Sequence, residues 1–569
     1  MIKNLFSILS HKEKIYFVLL LFVFIFFSIL DLFGLYFFSV GISGLLNLNN
    51  FSNLINNLYI FNLIEVYNLE NISISNFYLF LLFYFILKNL FFYLFYNLQA
   101  KFIADISSNI ANLLFKYFLS LPYKIFIKLN FSENSKNLTY DVSRSIQLIS
   151  SINNFFKEIT LILLIVFFIF FLNIKFFFII SFFILLLLLV FRSAYSKKLK
   201  FYGNQNQAYV GRQLKRILDS FNLFIEIKIY KLLDFFSNKF KHESYLKEFA
   251  EQKSNIIVNT PRLIIEIFVV FLLFLLISIF EVNNFNAEIF KYSFLLVLTL
   301  RLIPSIISFN RTLFDIKLCK ISLKIFLAKL RKYKYYQERN KKNILDFKRN
   351  IYFKNITFGY SNSTNVVENI NFKINKNETI GIIGASGSGK TTLILLLLGL
   401  LKPKLGRILI DNINLGSKYS LQNQISYAPQ DTILINDSII KNITFKDGLL
   451  ENELNRLNDS IRVSQSKNFL NKNYFNKVVE EKGMNFSGGQ RKRIGLTRAL
   501  FFEKNIYIFD EPTNFLDTSA AKNFINNIKK FLFNKTVIII THDKNILNNC
   551  DKVFILRNKK LSLVKKNKI

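Results

Sequence analysis

The chain has two cysteines, three histidines and no tryptophan in 569 residues. Cys319 and Cys550 are far apart and form no C-x-x-C pair, so neither a disulfide framework nor a zinc site is expected. Acidic residues are scarce: 37 Asp and Glu face 74 Lys and Arg, for a formal net charge of +37. Such a balance invites a nucleic-acid reading, but Lys, Asn, Ile and Phe are high together, which is a biased composition. Much of the positive charge also flanks apolar runs, where cytoplasmic loops collect it. No nucleic-acid partner is expected. One stretch lacks basic residues altogether. From about 47 to 76 the only charges are Glu65 and Glu70, which excludes a cytoplasmic loop there.

What the chain has in abundance is apolar length. It is 52% hydrophobic, Phe alone counts 68, and the mean hydropathy is +0.31. Apolar runs fall at about 15–45, 77–98, 158–172, 176–192, 263–280 and 289–308. Most are long enough to cross a hydrocarbon core as helices, so six spans are expected within a membrane domain over 1–330. The third and fourth, separated by Asn173-Ile174-Lys175, read as a tight hairpin. The first run is too long for a signal-peptide core and is expected to be retained. With 47–76 outside, the connections 99–157 and 193–261, both rich in Lys and Arg, are cytoplasmic, and so are both ends. Ile225–Leu232 alternates like a strand, but its place between two spans predicts a helix reaching into the cytosol. Apolar residues at helical spacing near 51–58 predict an interfacial helix on the outer side.

Ionisable residues inside spans invite a functional reading. Arg262 and Arg301, facing a cavity, would suit a phosphate or pyrophosphate head group. For Arg262 the alternative is an ordinary pair with Glu266, one turn on. Lys88 and Asp31 read as packing partners or boundary residues.

From about 345 the pattern changes to short strands and glycine turns, beginning at Ile351–Phe358. Gly384-Ala385-Ser386-Gly387-Ser388-Gly389-Lys390-Thr391 is a G-x-x-x-x-G-K-[ST] loop between a buried strand and a helix start. Its glycines let backbone N–H groups curl around phosphate oxygens, and the helix N-terminus adds partial positive charge. Lys390 would reach the β- and γ-phosphates, and Thr391 would ligate Mg²⁺. Further on, Ser487-Gly488-Gly489-Gln490 precedes the apolar strand Ile506–Phe509, which ends in Asp510-Glu511. Asp510 would hold Mg²⁺ through its water shell, and Glu511 would orient or deprotonate a water.

This order of motifs resembles the ATP-binding cassette transporters, specifically exporters with the membrane domain fused ahead of the ATPase. The resemblance runs along essentially the whole chain. It implies an α-helical polytopic membrane domain followed by an α/β P-loop NTPase domain over 345–569, with ATP and Mg²⁺ as cofactors. By motif, Tyr360 would stack on adenine, and Thr392 continues the phosphate loop. Gln430 would sense Mg²⁺ and the membrane domain. Phe486 to Gln490 would bind the ATP of a partner subunit. Asp517 matches the dimer-contact loop, and His542 the switch histidine at the γ-phosphate. Glu480-Glu481-Lys482-Gly483 matches the exporter segment that touches coupling helices. Phe486 stands where Leu is usual, Pro512-Thr513 where many exporters carry Ala-Thr, and Asn514-Phe515 where Ser-Ala is common. None of these removes a catalytic group.

The resemblance further implies a head-to-tail pair of chains, a homodimer in the simple reading, with a heterodimer of similar half-transporters left open. The expected location is the bacterial inner membrane, multi-pass, with the ATPase domain cytoplasmic. Only about ten residues precede the first span, so no N-terminal peptidase domain is expected. For substrate, Thr260–Glu266 and Arg301–Ser305 resemble the lipid-linked oligosaccharide flippases. Export of another lipid, a drug or a peptide stands beside that reading, as does an ATP-gated channel or regulator.

Overall fold

The computed structural model describes residues 10–46, 74–279, 289–340, 343–361, 363–416, 419–470, 477–514 and 518–564. The chain divides into two compact units, Met1–Leu119 with Leu129–Lys334, and Ser120–Lys128 with Tyr335–Ile569.

The first unit is helical. Its long elements are α1 (His11–Leu46), α2 (Ile74–Ser120), α5 (Val142–Leu172), α6 (Ile174–Asn222), α8 (Leu233–Ile279) and α9 (Ile289–Asn340). The short α4 (Phe131–Lys136) and α7 (Phe224–Ile229) lie in the connections, and so does α3 (Tyr123–Phe126), which belongs to the second unit. Apolar stretches of this length become helices because hydrocarbon offers no partner to a free backbone N–H. The six expected spans fall on the six long helices. Among the described residues, His11–Ser43, Ser75–Ser120, Phe131–Leu172 and Ser293–Tyr336 are long and apolar enough to cross a membrane, and Ile174–Leu186 is a shorter apolar helix.

Local chemistry sets the boundaries. Ser10 and Glu13 form a reciprocal cap at the start of α1, with Ser10 N donating to Glu13 Oε2 at 2.7 Å. Pro122 follows the end of α2, where the residue before a proline leaves helical space. Asn173 is extended (φ −157°), and its Oδ1 accepts from Phe176 N at 3.0 Å, which makes the expected hairpin of α5 and α6. On α5, Leu161, Ile165 and Ile169 recur at helical spacing and pack against Phe176 and Ile180 of α6 and Leu295 and Leu298 of α9. On α2, Leu82, Phe83, Ile86, Leu90 and Phe91 are exposed, an apolar face of the kind lipid covers. Residues 225–229 are helical, as expected, but they form the separate α7. Lys231 adopts φ +54° and ends it before α8 begins. The segment near 51–58 lies outside the described residues.

Among the described residues, the second unit holds three sheets. Strands β1 (Asn343–Ile344) and β7 (Tyr419–Ser420) pair. Strands β2 (Asn350–Phe358), β3 (Val367–Asn375), β5 (Leu405–Ile410) and β6 (Ile413–Asn414) form an antiparallel sheet in the order β3-β2-β5-β6. The main sheet has the order β12-β11-β4-β10-β9-β8. It contains β4 (Thr379–Ile383), β8 (Ile425–Ala428), β9 (Ile506–Asp510), β10 (Thr536–Ile540), β11 (Lys552–Arg557) and β12 (Lys560–Val564). Its strands are parallel except for the β11–β12 hairpin. The helices are α10 (Lys390–Leu397), α11 (Ile439–Thr444), α12 (Glu451–Val463), α13 (Gly488–Phe501), α14 (Thr518–Phe531) and α15 (Lys544–Asn548). Strands β4, β9 and β10 are short near-continuous apolar runs, the pattern of parallel strands covered on both faces.

Alongside this sheet, α11, α12 and the start of α13 enclose a second core around Ile439, Leu457, Phe486 and Ile494. Asn442, fully buried, ties the loop before α11 to that core. Its Nδ2 donates to Ile435 O, Asp437 O and Ser438 O at 2.9–3.2 Å, and its Oδ1 accepts from Ile435 N at 2.8 Å. Asn442→Ala leaves Ile435 N–H without its acceptor and takes one of two donors from each of the three carbonyls, so a loss of roughly 1–3 kcal/mol is expected, read as an earlier unfolding transition of the second unit.

Candidate functional site

The groups singled out by sequence come together at the carboxyl ends of four adjacent parallel strands, β4, β10, β9 and β8. That is where open α/β sheets place their ligand crevice. The loop after β4 owes its shape to glycine. Gly387 (φ +77°) and Gly389 (φ +106°) take backbone conformations that side chains disfavour. A Cβ at Gly384 would meet Leu556 O at 2.6 Å and Ser388 Oγ at 2.7 Å. Lys390 opens α10 and folds back over the loop. Its Nζ donates to Ala385 O at 3.0 Å and to Gly384 O. Ser388 Oγ is buried without a hydrogen-bond partner. A loop with an orphaned hydroxyl and a lysine folded back onto the loop's own carbonyls fits an oxyanion guest. Ser386 is exposed on the same loop, and Thr391 is exposed in the first turn of α10.

The acidic pair sits one strand beyond β10. Asp510 ends β9, and both it and Glu511 are buried. Glu511 adopts φ +48°, a left-handed conformation uncommon for a residue with a side chain. Its N–H donates to Ile540 O at 2.8 Å, the last residue of the neighbouring strand. Its Oε1 lies 3.4 Å from His542 Nε2, which lies 3.5 Å from Lys390 Nζ. Lys390, His542 and Glu511 thus form a continuous polar line at the mouth of the glycine loop. Burial pushes the Asp510 carboxyl above its ordinary range, against the pull of Lys492 and Lys390. Thr391 and Asp510 supply hard oxygen donors of the kind Mg²⁺ takes, usually beside substrate phosphates and water. Among the described residues no cluster of three His, Cys, Asp or Glu could hold a metal without such help.

The remaining predicted residues are spread around this centre. Tyr360 packs edge-on against Phe358, with ring centroids 5.3 Å apart, and its hydroxyl lies 3.4 Å from Thr392 Oγ1. Gln430 is exposed in the loop after β8. Ser487 caps α13, accepting from Gln490 N at 3.2 Å, while Gln490 Oε1 accepts from Ser487 N at 2.9 Å. Gly488 and Gly489 form the first turn of α13. Phe486 is buried in the second core, so the larger side chain in the position usual for Leu serves as packing. Glu481–Gly483 is a short 3-10 turn before it. Asp517 lies outside the described residues.

The two membrane arginines are each found beside an acid. Arg262 is exposed and pairs with Glu266 at 2.8 Å, the ordinary alternative considered for it. Arg301 lies 3.4 Å from Asp31 Oδ2, while Lys88 holds Asp31 Oδ1 at 2.9 Å. Asp31 and Lys88 are therefore the partners of a charge cluster joining α1, α2 and α9.

Sequence reasoning passed over two residues of the site. Tyr427 on β8 faces Asp510, and burial pushes its hydroxyl well above the usual range. Lys492 is almost fully buried at 3% exposure, and burial pulls its ammonium down to about 8. The run Arg491-Lys492-Arg493 reads as a solvated charge patch. The available signal is helical phase: Lys492 shares a face with the buried Leu496 and Ala499.

The ABC transporter family model matches residues 367–514. The alpha-hemolysin translocation ATP-binding protein HlyB of Escherichia coli O157:H7 is 38% identical over 228 residues, which is 39% of this chain and 32% of that protein. The leukotoxin translocation ATP-binding protein LktB of Mannheimia haemolytica is 35% identical over 225 residues, with the same shares covered. The chain thus spans about a third of the length of these curated relatives. A bacterial Atm1-family ABC exporter with ATP bound has the same fold, with a TM-score of 0.77 over 97% of this chain and 95% of that one, at 18% identity. ABC transporter ATPase domains bind ATP with Mg²⁺, and the donor set described above suits both.

Proposed function

We propose, from a chain that carries an ABC transporter ATPase domain in the fold of an ABC exporter, that it hydrolyses ATP to move a substrate across a membrane. The observation that carries this reading is the line Lys390–His542–Glu511, closed in steps of 3.5 and 3.4 Å at the mouth of the glycine loop. In this reading Glu511 orients and deprotonates the attacking water, and His542 and Lys390 meet the γ-phosphate. Backbone N–H groups from Gly384 to Thr391 hold the phosphates, and Tyr360 swings from Phe358 to stack on adenine. Thr391 and Asp510 take Mg²⁺, with Gln430 as its sensor. Ser487 to Gln490 and Asp517 serve the nucleotide of a second copy.

Coupling to the helical unit has support inside the second unit. Ser120–Lys128, the tip of the first connection, belongs to that unit, and Tyr123 packs against its core beside Tyr427. Closure of the site would then act on the membrane helices through this tip, as any shift of population by ATP requires a state that ATP prefers. The tip of the second connection is different. Phe221, Phe224, Ile225, Ile229 and Tyr230 are exposed there, an apolar surface that a second copy of the chain would cover. A homodimer in the bacterial inner membrane, with cytoplasmic ATPase domains, is the reading this supports. A heterodimer with a similar chain would cover the same surface.

For the substrate, an amphiphile of the polyprenyl-pyrophosphate glycan class remains our first reading, resting on Arg301. Its pairing with Asp31 means a pyrophosphate must displace or share that carboxylate. A second reading, a polar or peptide cargo, has its own observation. A cavity of about 510 Å³ in the first unit is lined by Arg144, Arg311, Glu251, Asp315, Asn255 and Asn259, a surface suited to polar groups rather than alkyl chains. The discriminating experiment is ATP-dependent flipping of a polyprenyl-pyrophosphate oligosaccharide in proteoliposomes. Arg301→Ala is expected to reduce flipping about tenfold with basal ATP turnover retained. Vigorous ATP turnover with no flipping by the wild type discards the lipid glycan and moves the search to the polar cavity.

A further inference from the structure

We propose that Lys492 is a positioning residue whose ammonium group ties the loop carrying Gln430 to the strand end carrying Asp510 and Glu511. The proposal rests on the ATPase reading above and adds the group that sets its geometry. Lys492 Nζ donates to Pro429 O at 2.8 Å, Gln430 O at 3.0 Å and Asp510 O at 2.7 Å. An ammonium has three donors, and here all three are used. Among the described residues Lys492 has no carboxylate within ion-pair distance. Its charge meets three carbonyl dipoles instead. Removing an ammonium from water costs several kcal/mol, so an apolar side chain would fill this place at lower cost. What the lysine adds is direction.

The three acceptors are placed where direction matters. Pro429 O and Gln430 O belong to successive peptide units, so gripping both fixes the orientation of Gln430 between them. Asp510 O belongs to the peptide unit that continues as Glu511 N–H. That unit is held on its other edge by Ile540 O at 2.8 Å. A peptide plane gripped from both sides explains how Glu511 is kept at φ +48°, a conformation that unsupported chains leave. Lys492 stands one turn into α13, the helix capped by Ser487. A displacement of that helix is therefore transmitted to Gln430 and Glu511 together. The charged and titratable groups facing the ammonium are Asp510 and Glu511 from β9 and its following turn, and Asp431 from the loop after β8.

The test compares the full-length wild type with Lys492→Met, Lys492→Gln and Lys492→Arg. Four quantities are measured: backbone hydrogen exchange, Mg²⁺-free ATP binding, ATP turnover against Mg²⁺ concentration, and thermal stability. In Lys492→Met, exchange at 430–432 and at Glu511 is expected to speed up about tenfold, with the rest of the unit unchanged. Mg²⁺-free ATP binding stays within about twofold, turnover falls about tenfold or more, and half-saturation by Mg²⁺ moves upward. Lys492→Arg, which keeps charge and several donors, recovers most of the loss, and Lys492→Gln part of it. Wild-type exchange and turnover in Lys492→Met overturns the proposal. So does exchange that accelerates throughout the unit together with lost ATP binding, since that marks a residue that only stabilises the fold. Should Lys492→Met not fold, Lys492→Gln carries the same comparison. A wild type that binds but does not hydrolyse ATP sinks the ATPase reading, while the exchange result still decides the tie.

Discussion

Glu511→Gln is expected to lower ATP turnover by about a hundredfold to a thousandfold and to leave ATP affinity within about twofold. The substitution keeps the volume and planarity of the side chain in its buried place. It keeps the backbone bond from Glu511 N to Ile540 O, so the left-handed turn at φ +48° has no new reason to relax. What it removes is the basic oxygen that stands 3.4 Å from His542 Nε2 at the mouth of the glycine loop. In the proposed reading binding depends on the loop from Gly384 to Thr391, which the substitution does not touch. The prediction is therefore a split: kcat collapses and nucleotide affinity does not. It is checked by phosphate release and by equilibrium nucleotide binding on the same preparation. Turnover within a few fold of wild type would mean that Glu511 is not the base, and the strained turn would then need another explanation.

The elements behind this prediction were legible because each has a local cause. The glycine loop shows its own geometry in its residue types, and β4 and β9 are apolar runs bounded by turns. The six expected spans are read from apolar length alone, and the stretch 47–76, which lacks Lys and Arg, sets the orientation expected for them. What escaped is what depends on side chains meeting across the fold. Arg301 looks like a free cation in sequence because Asp31 is 270 positions away. Lys492 looks like one of three surface charges because its acceptors are carbonyls, which no residue type announces. Its motif makes Tyr360 an expected adenine platform. Its edge contact with Phe358 could not be foreseen, because neither periodicity nor spacing reports ring orientation. The rule is physical: period and length are written along the chain, whereas partner choice is written across it.

Two inactive variants are expected to rescue each other. Lys390→Ala removes the phosphate-loop ammonium. Ser487→Asp keeps a good helix cap but sets a negative charge where the partner's nucleotide would rest. Each alone should lose ATP turnover by about a hundredfold. The rescue follows from where the two loops stand. The glycine loop is built on the core of β2–β5 and α10, whereas Phe486, beside Ser487, is sunk in a different core with α11 and α12. If the two loops work on one nucleotide only across a pair of chains, a mixed pair has one site with both loops intact and one with both impaired. A mixed dimer keeps one working site of two, so recovery in mixed dimers rises to roughly half of wild-type turnover. The variants must be assembled together, by co-expression under two tags with selection for both, because pre-formed pairs exchange slowly. No recovery in doubly tagged pairs would count against a homodimer with shared sites and leave two alternatives. Either a second, similar chain supplies the missing loop, or each chain works alone. Co-purification in the absence of either tag separates those two. Recovery near half would mean that the capped N-terminus of α13 serves its neighbour's ATP, and that the exposed apolar tip at α7 has a copy of this chain to rest on.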